Sequence, residues 1–314
     1  MADTEWDRIA AWRDLRMGEG GDLWHRAIID PVLLEVVGPV RGLRVLDLAC
    51  GNGYLARRFA KDGAQRSVGI DGSQGSIELA RAREAADPRG VRFDRRDAAD
   101  LSPFPDGSFD LVVANMALMD IADAGGTVQE VARVLTDDGR FVFSLCHPCF
   151  DTDRDSMWVV EHSLRENGVA VDRVWRKVSG YRETGPGSIP WHVSDTETLV
   201  TPTYRRTLSD YARFLRDAGL AITRLEEPVP LPEAIEKSPQ GRYMVEIPLH
   251  LIVESARSAP PASRAAAKEP RDGGSARSAS RRSGRSPERG SPRSGSAPRR
   301  RGSGSVDRGS TSGS

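Results

Sequence analysis

Residues 45–56 read VLDLACGNGYLA: a short apolar strand, one aspartate, a Gly-Asn-Gly turn, then the start of a helix. A strand feeding a helix through a glycine turn is the first unit of a nucleotide-binding α/β sheet, and GNGYLA satisfies the G-x-G-x-x-A spacing of dinucleotide sites. The glycines let the backbone approach a ligand closely, and the helix N-terminus favours negative charge. Asp47 complicates that reading, because it ends the same strand four residues before Gly51. A fixed carboxylate there repels a diphosphate, so the spacing predicts a cationic or zwitterionic guest.

The flanking sequence extends the pattern. TEWDRIAAWRDL and DLWHRAIIDPVLLEVVG carry apolar residues at helical spacing and predict two helices before the first strand. Short apolar runs then alternate with helical segments: LRVLDLA, YLARRFAKDG, RSVGID, QGSIELARAREAAD, VRFDRRD, FDLVVANMAL, TVQEVARVLTDDG and RFVFSLC. Such alternation implies β-α-β units with right-handed crossovers and a parallel sheet, five strands of which are complete by Cys146. Residues 150–205 break the rhythm and read as an insertion. LSDYARFLRDAGL then predicts a helix, AITRLEEP an edge strand and RYMVEIPLHLIVESA a last strand. With only a Pro-rich loop expected between them, the two final strands should pair antiparallel.

S-adenosylmethionine meets the electrostatic demand, since it carries an ammonium, a sulfonium and a carboxylate but no phosphate. Asp71, ending the second strand in SVGIDGS, suits the two ribose hydroxyls. Asp97, after the third strand in DRRDAADL, suits the exocyclic amine of adenine. Each aspartate alone could equally be a helix cap or turn residue. Three at successive strand ends, where α/β sheets hold ligands, form a site.

With these residues in place, the chain resembles the class I S-adenosylmethionine-dependent methyltransferases. VLDLACGNG is similar to the first motif of that family, VGID to its second, and DAADLSPFPDGSFDLVVANMALMDI to the stretch spanning its third and fourth. The resemblance covers roughly residues 20–150 and continues more loosely through TYRRTLSDYARFLRDAGLAITRLEEP and VEIPLHLIVESA. It implies a Rossmann-like, seven-stranded, mostly parallel sheet with one antiparallel strand and helices on both faces. The methyltransferase domain would be residues 1–254. By resemblance, Asp47, Ala49, Cys50, Gly51, Asn52 and Gly53 would hold the methionine part, Asp71, Gly72 and Ser73 the ribose, and Asp97 and Ala98 the adenine. Asn115 and Met116 would face the sulfonium. In GEGGDLWHRAIIDP, Gly21, Asp22, His25 and Arg26 could close over the cofactor, Arg26 complementing its carboxylate or else pairing with Asp22.

The fourth strand ends in ANMALMD and not in the Asn/Asp-Pro-Pro-aromatic pattern that holds a planar nitrogen, so nucleic-acid bases are disfavoured and a small-molecule acceptor is expected. The insertion supplies aromatic residues, among them Trp158, Trp175, Tyr181, Trp191 and Tyr204, for a lid or pocket wall. Their alternative role is to anchor an irregular loop. His147, leaving the fifth strand, is the candidate general base, with His192 behind it. In-line transfer from a sulfonium can also proceed by alignment alone, which supplies about 7–11 kcal/mol. The CHPC run at 146–149 follows a strand instead of opening a helix, so a redox role is disfavoured. Three cysteines make neither a disulfide framework nor a zinc site, and no metal is expected.

The balanced total of 45 basic and 45 acidic residues hides a division. From Ser255 onward there are 14 Lys/Arg against 4 Asp/Glu, leaving 31 against 41 in residues 1–254. The 255–314 segment is rich in Ser, Arg, Gly and Pro and too poor in apolar residues to fold, so it reads as a disordered tail. It could contact RNA non-specifically, rest on the acidic body, or simply aid solubility. No run long enough to span a membrane occurs and no secretory signal opens the chain, which makes cytoplasmic residence the expectation. Two rival readings remain: an NAD-type oxidoreductase, which leaves Asp47 and Asp97 unexplained, and a non-enzymatic adaptor that binds RNA through its tail.

Overall fold

In a computed structural model, residues 4–151, 156–164 and 170–258 are described. They belong to the compact unit Met1–Ala262. Helix α1 spans Glu5–Met17, and a π-helical turn over His25–Ile29 runs directly into α2, Asp30–Val37. The α/β part follows as β1 (Arg44–Leu48), α3 (Tyr54–Lys61), β2 (Arg66–Asp71), α4 (Gln74–Ala86), β3 (Arg92–Arg95), β4 (Phe109–Ala114), α5 (Ala124–Val134) and β5 (Leu135–Cys146). The insertion forms β6 (Ser156–Leu164), β7 (Ala170–Val178), β8 (Gly185–His192) and β9 (Thr198–Arg205). The chain then returns through α6 (Leu208–Asp217), β10 (Leu220–Glu226), α7 (Pro232–Lys237), α8 (Pro239–Tyr243) and β11 (His250–Arg257).

The main sheet has the order β10-β11-β5-β4-β1-β2-β3. β11 is antiparallel to both of its neighbours, β10 and β5, while the other pairings are parallel. This is the seven-stranded sheet with one antiparallel strand that the sequence implied. Period-two alternation sends Leu111 and Val113 of β4 and Val142 of β5 toward α2 and α3, where Leu33, Val37, Leu55 and Phe59 meet them. Val112, Phe141 and Phe143 face the opposite layer of Val128, Val131 and Leu215 from α5 and α6. Burying each such side chain contributes about 1.5–3 kcal/mol, so both layers are needed to hold the strand tips in register.

Three expectations are corrected. The link between β10 and β11 is not a bare loop, because two prolines at helical first-turn positions start the short helices α7 and α8. The last strand begins at His250 and not at Arg242, since Gln240–Tyr243 closes helical hydrogen bonds instead. It also continues through Arg257, so Ser255, Ala256 and Arg257 belong to the sheet and not to the tail. The rest of the predicted tail, residues 259–314, lies outside the described residues. The insertion is two antiparallel hairpins, β6–β7 and β8–β9.

Candidate functional site

A cavity of about 830 Å³ opens over the carboxyl ends of β1, β2 and β4. Its walls include Asp47, Ala49, Cys50, Gly51, Asn52, Asp71, Gly72, Ser73, Asp97, Ala98, Asn115 and Met116, so twelve of the fourteen residues assigned to the cofactor meet in one place. The tips are reached through unusual backbone. Ala49 and Met116 adopt left-handed φ values of 56° and 51°, conformations that non-glycine residues hold only where the surroundings enforce them. Gly51, at φ 55°, would direct a Cβ into open space, whereas Gly53, at φ 77°, would drive one to 2.5 Å from the Phe93 ring. The first glycine therefore borders the cavity. The second packs the turn against β3 and does not line the cavity, which corrects its assignment.

The acids at the strand tips are held from the backbone. Asp71 Oδ2 accepts the Gly51 N–H at 2.9 Å and Oδ1 the Ser73 N–H at 2.8 Å. Asp47 Oδ2 accepts the Ala56 N–H at 3.0 Å. Burial pushes the Asp47 carboxyl up to about 8, with the nearby acids Asp71 and Asp30 adding to the shift. Burial raises Asp71 as well, against the lowering effect of its two N–H donors. Burial therefore favours the protonated form of Asp47, which corrects the picture of a permanently charged gatekeeper. A cationic guest draws out its charge, and a diphosphate cannot do so.

The polar wall beneath Met116 is a closed network. Asn115 Nδ2 donates to Asp30 Oδ1 and to the Tyr54 hydroxyl, both at 2.9 Å, while Asn115 Oδ1 accepts from Ser144 Oγ at 2.5 Å. The Asn115 amide is consumed in positioning the β4 tip. Asn52 is similarly engaged, donating to Asp14 Oδ1 at 2.8 Å and Gly18 O at 2.9 Å, which ties α1 to the glycine turn. Asp7 ties α1 also to the start of α4 by accepting from Ser73 Oγ and Gly75 N.

Arg26 does not serve the cavity. Its guanidinium pairs with Glu233 at 2.8 Å on the surface, and neither Arg26 nor Gly21 lines the wall, though Asp22 and His25 do. Arginines do line it, among them Arg13 of α1, which the sequence reading missed. Its guanidinium lies 5.7 Å from the Trp6 ring and 5.1 Å from the Trp191 ring, and among the described residues it makes no hydrogen bond or ion pair. Burial depresses its pKa, opposed by Asp22, Asp120 and Asp71. Spacing within α1 places it beside Trp6 but could not reveal the cavity, because Trp191 of β8 and the acids at the strand tips come from elsewhere in the chain.

The acceptor side is partly rearranged. Trp191, Tyr181 and Tyr204 line the cavity. Trp158 instead packs on Tyr243 and Arg176 outside the wall, and Trp175 is half exposed. His147 is buried at 4% exposure away from the cavity, with Nε2 on Glu227 at 2.9 Å and Nδ1 accepting the Cys149 N–H. It joins β5 to the β10–α7 link and does not act as a base on the cavity wall. His192 is exposed and bonded to Thr198. Among the titratable groups on the wall that the sequence did not single out are Asp120 after β4 and His250 at the start of β11. Burial raises Asp120 to about 7, while a hydrogen bond with Thr203 and the charges of Arg13 and Arg206 oppose the shift.

Residues 39–201, just over half of the chain, match the family described as "Methyltransferase domain". The chain belongs to that methyltransferase family. Relatives of this methyltransferase include the demethylmenaquinone methyltransferase of Clavibacter sepedonicus, 42% identical over 108 residues, 34% of this chain and 43% of that protein. The aklanonic acid methyltransferase DauC of Streptomyces sp. (strain C5) is 38% identical over 116 residues, 36% of this chain and 52% of that one. The chain spans about half the length of the curated relatives it matches. Among solved structures, an S-adenosylmethionine-dependent methyltransferase from Mesorhizobium loti superposes with a TM-score of 0.59 at 27% identity, over 72% of this methyltransferase and 96% of that chain.

Proposed function

We propose that this methyltransferase binds S-adenosylmethionine across the tips of β1–β4 and transfers its methyl group to an uncharged small molecule held under α1 and the β8–β9 hairpin. The carrying observation is that Asp47, Asp71 and Asp97 line one cavity with a glycine turn whose missing side chain leaves open space at Gly51. The residues present fit that cofactor. Arg13, a cavity cation without an ion pair of its own, suits its carboxylate, Asp47 and the carbonyls of the glycine turn suit the ammonium, and Asp71 retains lone pairs for the ribose hydroxyls. When bound, the cofactor supplies a methyl group on a sulfonium leaving group. The chain contributes alignment: the Asn115–Asp30–Tyr54–Ser144 network fixes the β4 tip, and Trp6, Trp12 and Trp191 pack edge to face, excluding water above it.

The relatives named above act on a menaquinone precursor and on aklanonic acid, which supports a small-molecule acceptor here. No helix among the described residues is long and apolar enough to cross a membrane. Isothermal titration with S-adenosylhomocysteine and NAD tests the reading. Micromolar-range binding of the first without the second is expected, and the reverse pattern overturns it.

A further inference from the structure

His250 is a buried imidazole on the cavity wall. It is 9% exposed, its Nδ1 is buried without a partner, and among the described residues neither ring nitrogen forms a hydrogen bond. Leaving a buried polar group unsatisfied costs about 1–3 kcal/mol, so such a group calls for something that binds there. The imidazole stays neutral. Burial lowers its pKa to about 4, with the neighbouring His25 and His147 adding to the shift and Asp22 opposing it.

The surroundings define what it can receive. Ile29 and Met116 line the cavity with Met244 and Leu249 and belong to one apolar cluster that Trp24 joins. The cavity's arginines, Arg13, Arg96, Arg205 and Arg206, come from α1, the loop after β3 and the end of β9, not from β11 or the apolar cluster. The charged and titratable groups acting on His250 are His25 and Asp22, paired with each other, and His147, paired with Glu227. A neutral ring with a hydroxyl satisfies both the apolar walls and the lone imidazole.

We infer that His250 is a specificity-determining residue that accepts a hydrogen bond from a hydroxyl of an uncharged, ring-shaped methyl acceptor. The inference rests on the methyltransferase reading and names its substrate class. β11 stands two strands from β4, a lateral distance of roughly 10 Å at ordinary strand spacing. The hydroxyl bound by His250 is therefore at the end of the acceptor remote from the β4 tip, and no proton needs to leave it.

The test uses the full chain loaded with S-adenosylhomocysteine and two probes, 2-naphthol and 2-methoxynaphthalene, which differ by the hydroxyl proton and a methyl group. The native chain should bind the naphthol about tenfold more tightly than the ether. His250→Phe should abolish that preference and His250→Gln should keep part of it, with S-adenosylhomocysteine affinity unchanged in both. Equal binding of the probes by the native chain, no binding of either, or a preference that survives in His250→Phe overturns the inference while leaving the cofactor reading intact. Failure of the native chain to bind S-adenosylhomocysteine overturns that reading, and the inference with it.

Discussion

Asp71 Oδ2 accepts the Gly51 amide at 2.9 Å, so the acid at the tip of β2 also holds the glycine turn that follows β1. Ligand recognition and backbone shape meet in one carboxylate. Asp71→Ala should weaken S-adenosylhomocysteine binding by about 10- to 150-fold, the effect of losing charge-assisted bonds worth roughly 1.5–3 kcal/mol. Asp71→Asn should lose a similar amount, because its amide NH2 must face one of the two N–H donors, Gly51 or Ser73. A dissociation constant unchanged in both variants would show that the ribose is held elsewhere.

The raised pKa of Asp47 links cofactor binding to pH. Its carboxyl titrates near 8 in the ligand-free protein, and a cationic guest favours the ionised form, so binding below that pH releases a proton. Affinity for S-adenosylmethionine should rise as pH increases from 6 toward 8 and level off above it. Calorimetry at pH 7 in buffers of different ionisation enthalpy reads the released proton directly, and Asp47→Asn should remove it. Buffer-independent heats at pH 7 in the native chain contradict this assignment.

Arg13 and Arg26 lie on neighbouring helical segments yet should behave oppositely. Arg13→Met is expected to weaken S-adenosylhomocysteine binding by about 10-fold or more, since it removes a cavity cation that has no ion pair of its own. Arg26→Met breaks only a surface pair with Glu233, worth about 1 kcal/mol of stability or less, and should leave affinity alone. Finding the loss in Arg26→Met instead would restore the assignment made from the sequence.

The two glycines of the turn should separate stability from binding. Gly53→Ala forces a Cβ to 2.5 Å from Phe93 in a left-handed conformation, and urea unfolding should show a loss of about 2–4 kcal/mol. Gly51→Ala meets nothing within 4 Å, so its stability loss should stay near the backbone cost of about 1–2 kcal/mol. Its Cβ nevertheless projects toward the ligand space, and titration should show the larger loss of cofactor affinity in Gly51→Ala.

How much of this was legible in advance depends on where each signal resides. The glycine turn, the acids at 47, 71 and 97 and the alternation of strands and helices are local facts, since period-two burial and strand-end position follow from the backbone alone. They specified the parallel part of the sheet, whereas its one antiparallel strand and most of the fourteen cofactor-side positions, twelve of which line the cavity, came from the family resemblance. Gly53, Arg26, Trp158 and His147 were misassigned for a common reason: sequence spacing shows that a residue is near a tip but not what already occupies its side chain. Phe93, Glu233, Tyr243 and Glu227 occupy them, and each lies 40 or more residues away in sequence. The same blindness hid Arg13, Asp120 and His250, whose surroundings come from strands and helices brought together only by packing. Backbone chemistry thus determined the cofactor cradle, whereas long-range burial decided which cation, which carboxyl and which imidazole face the cavity.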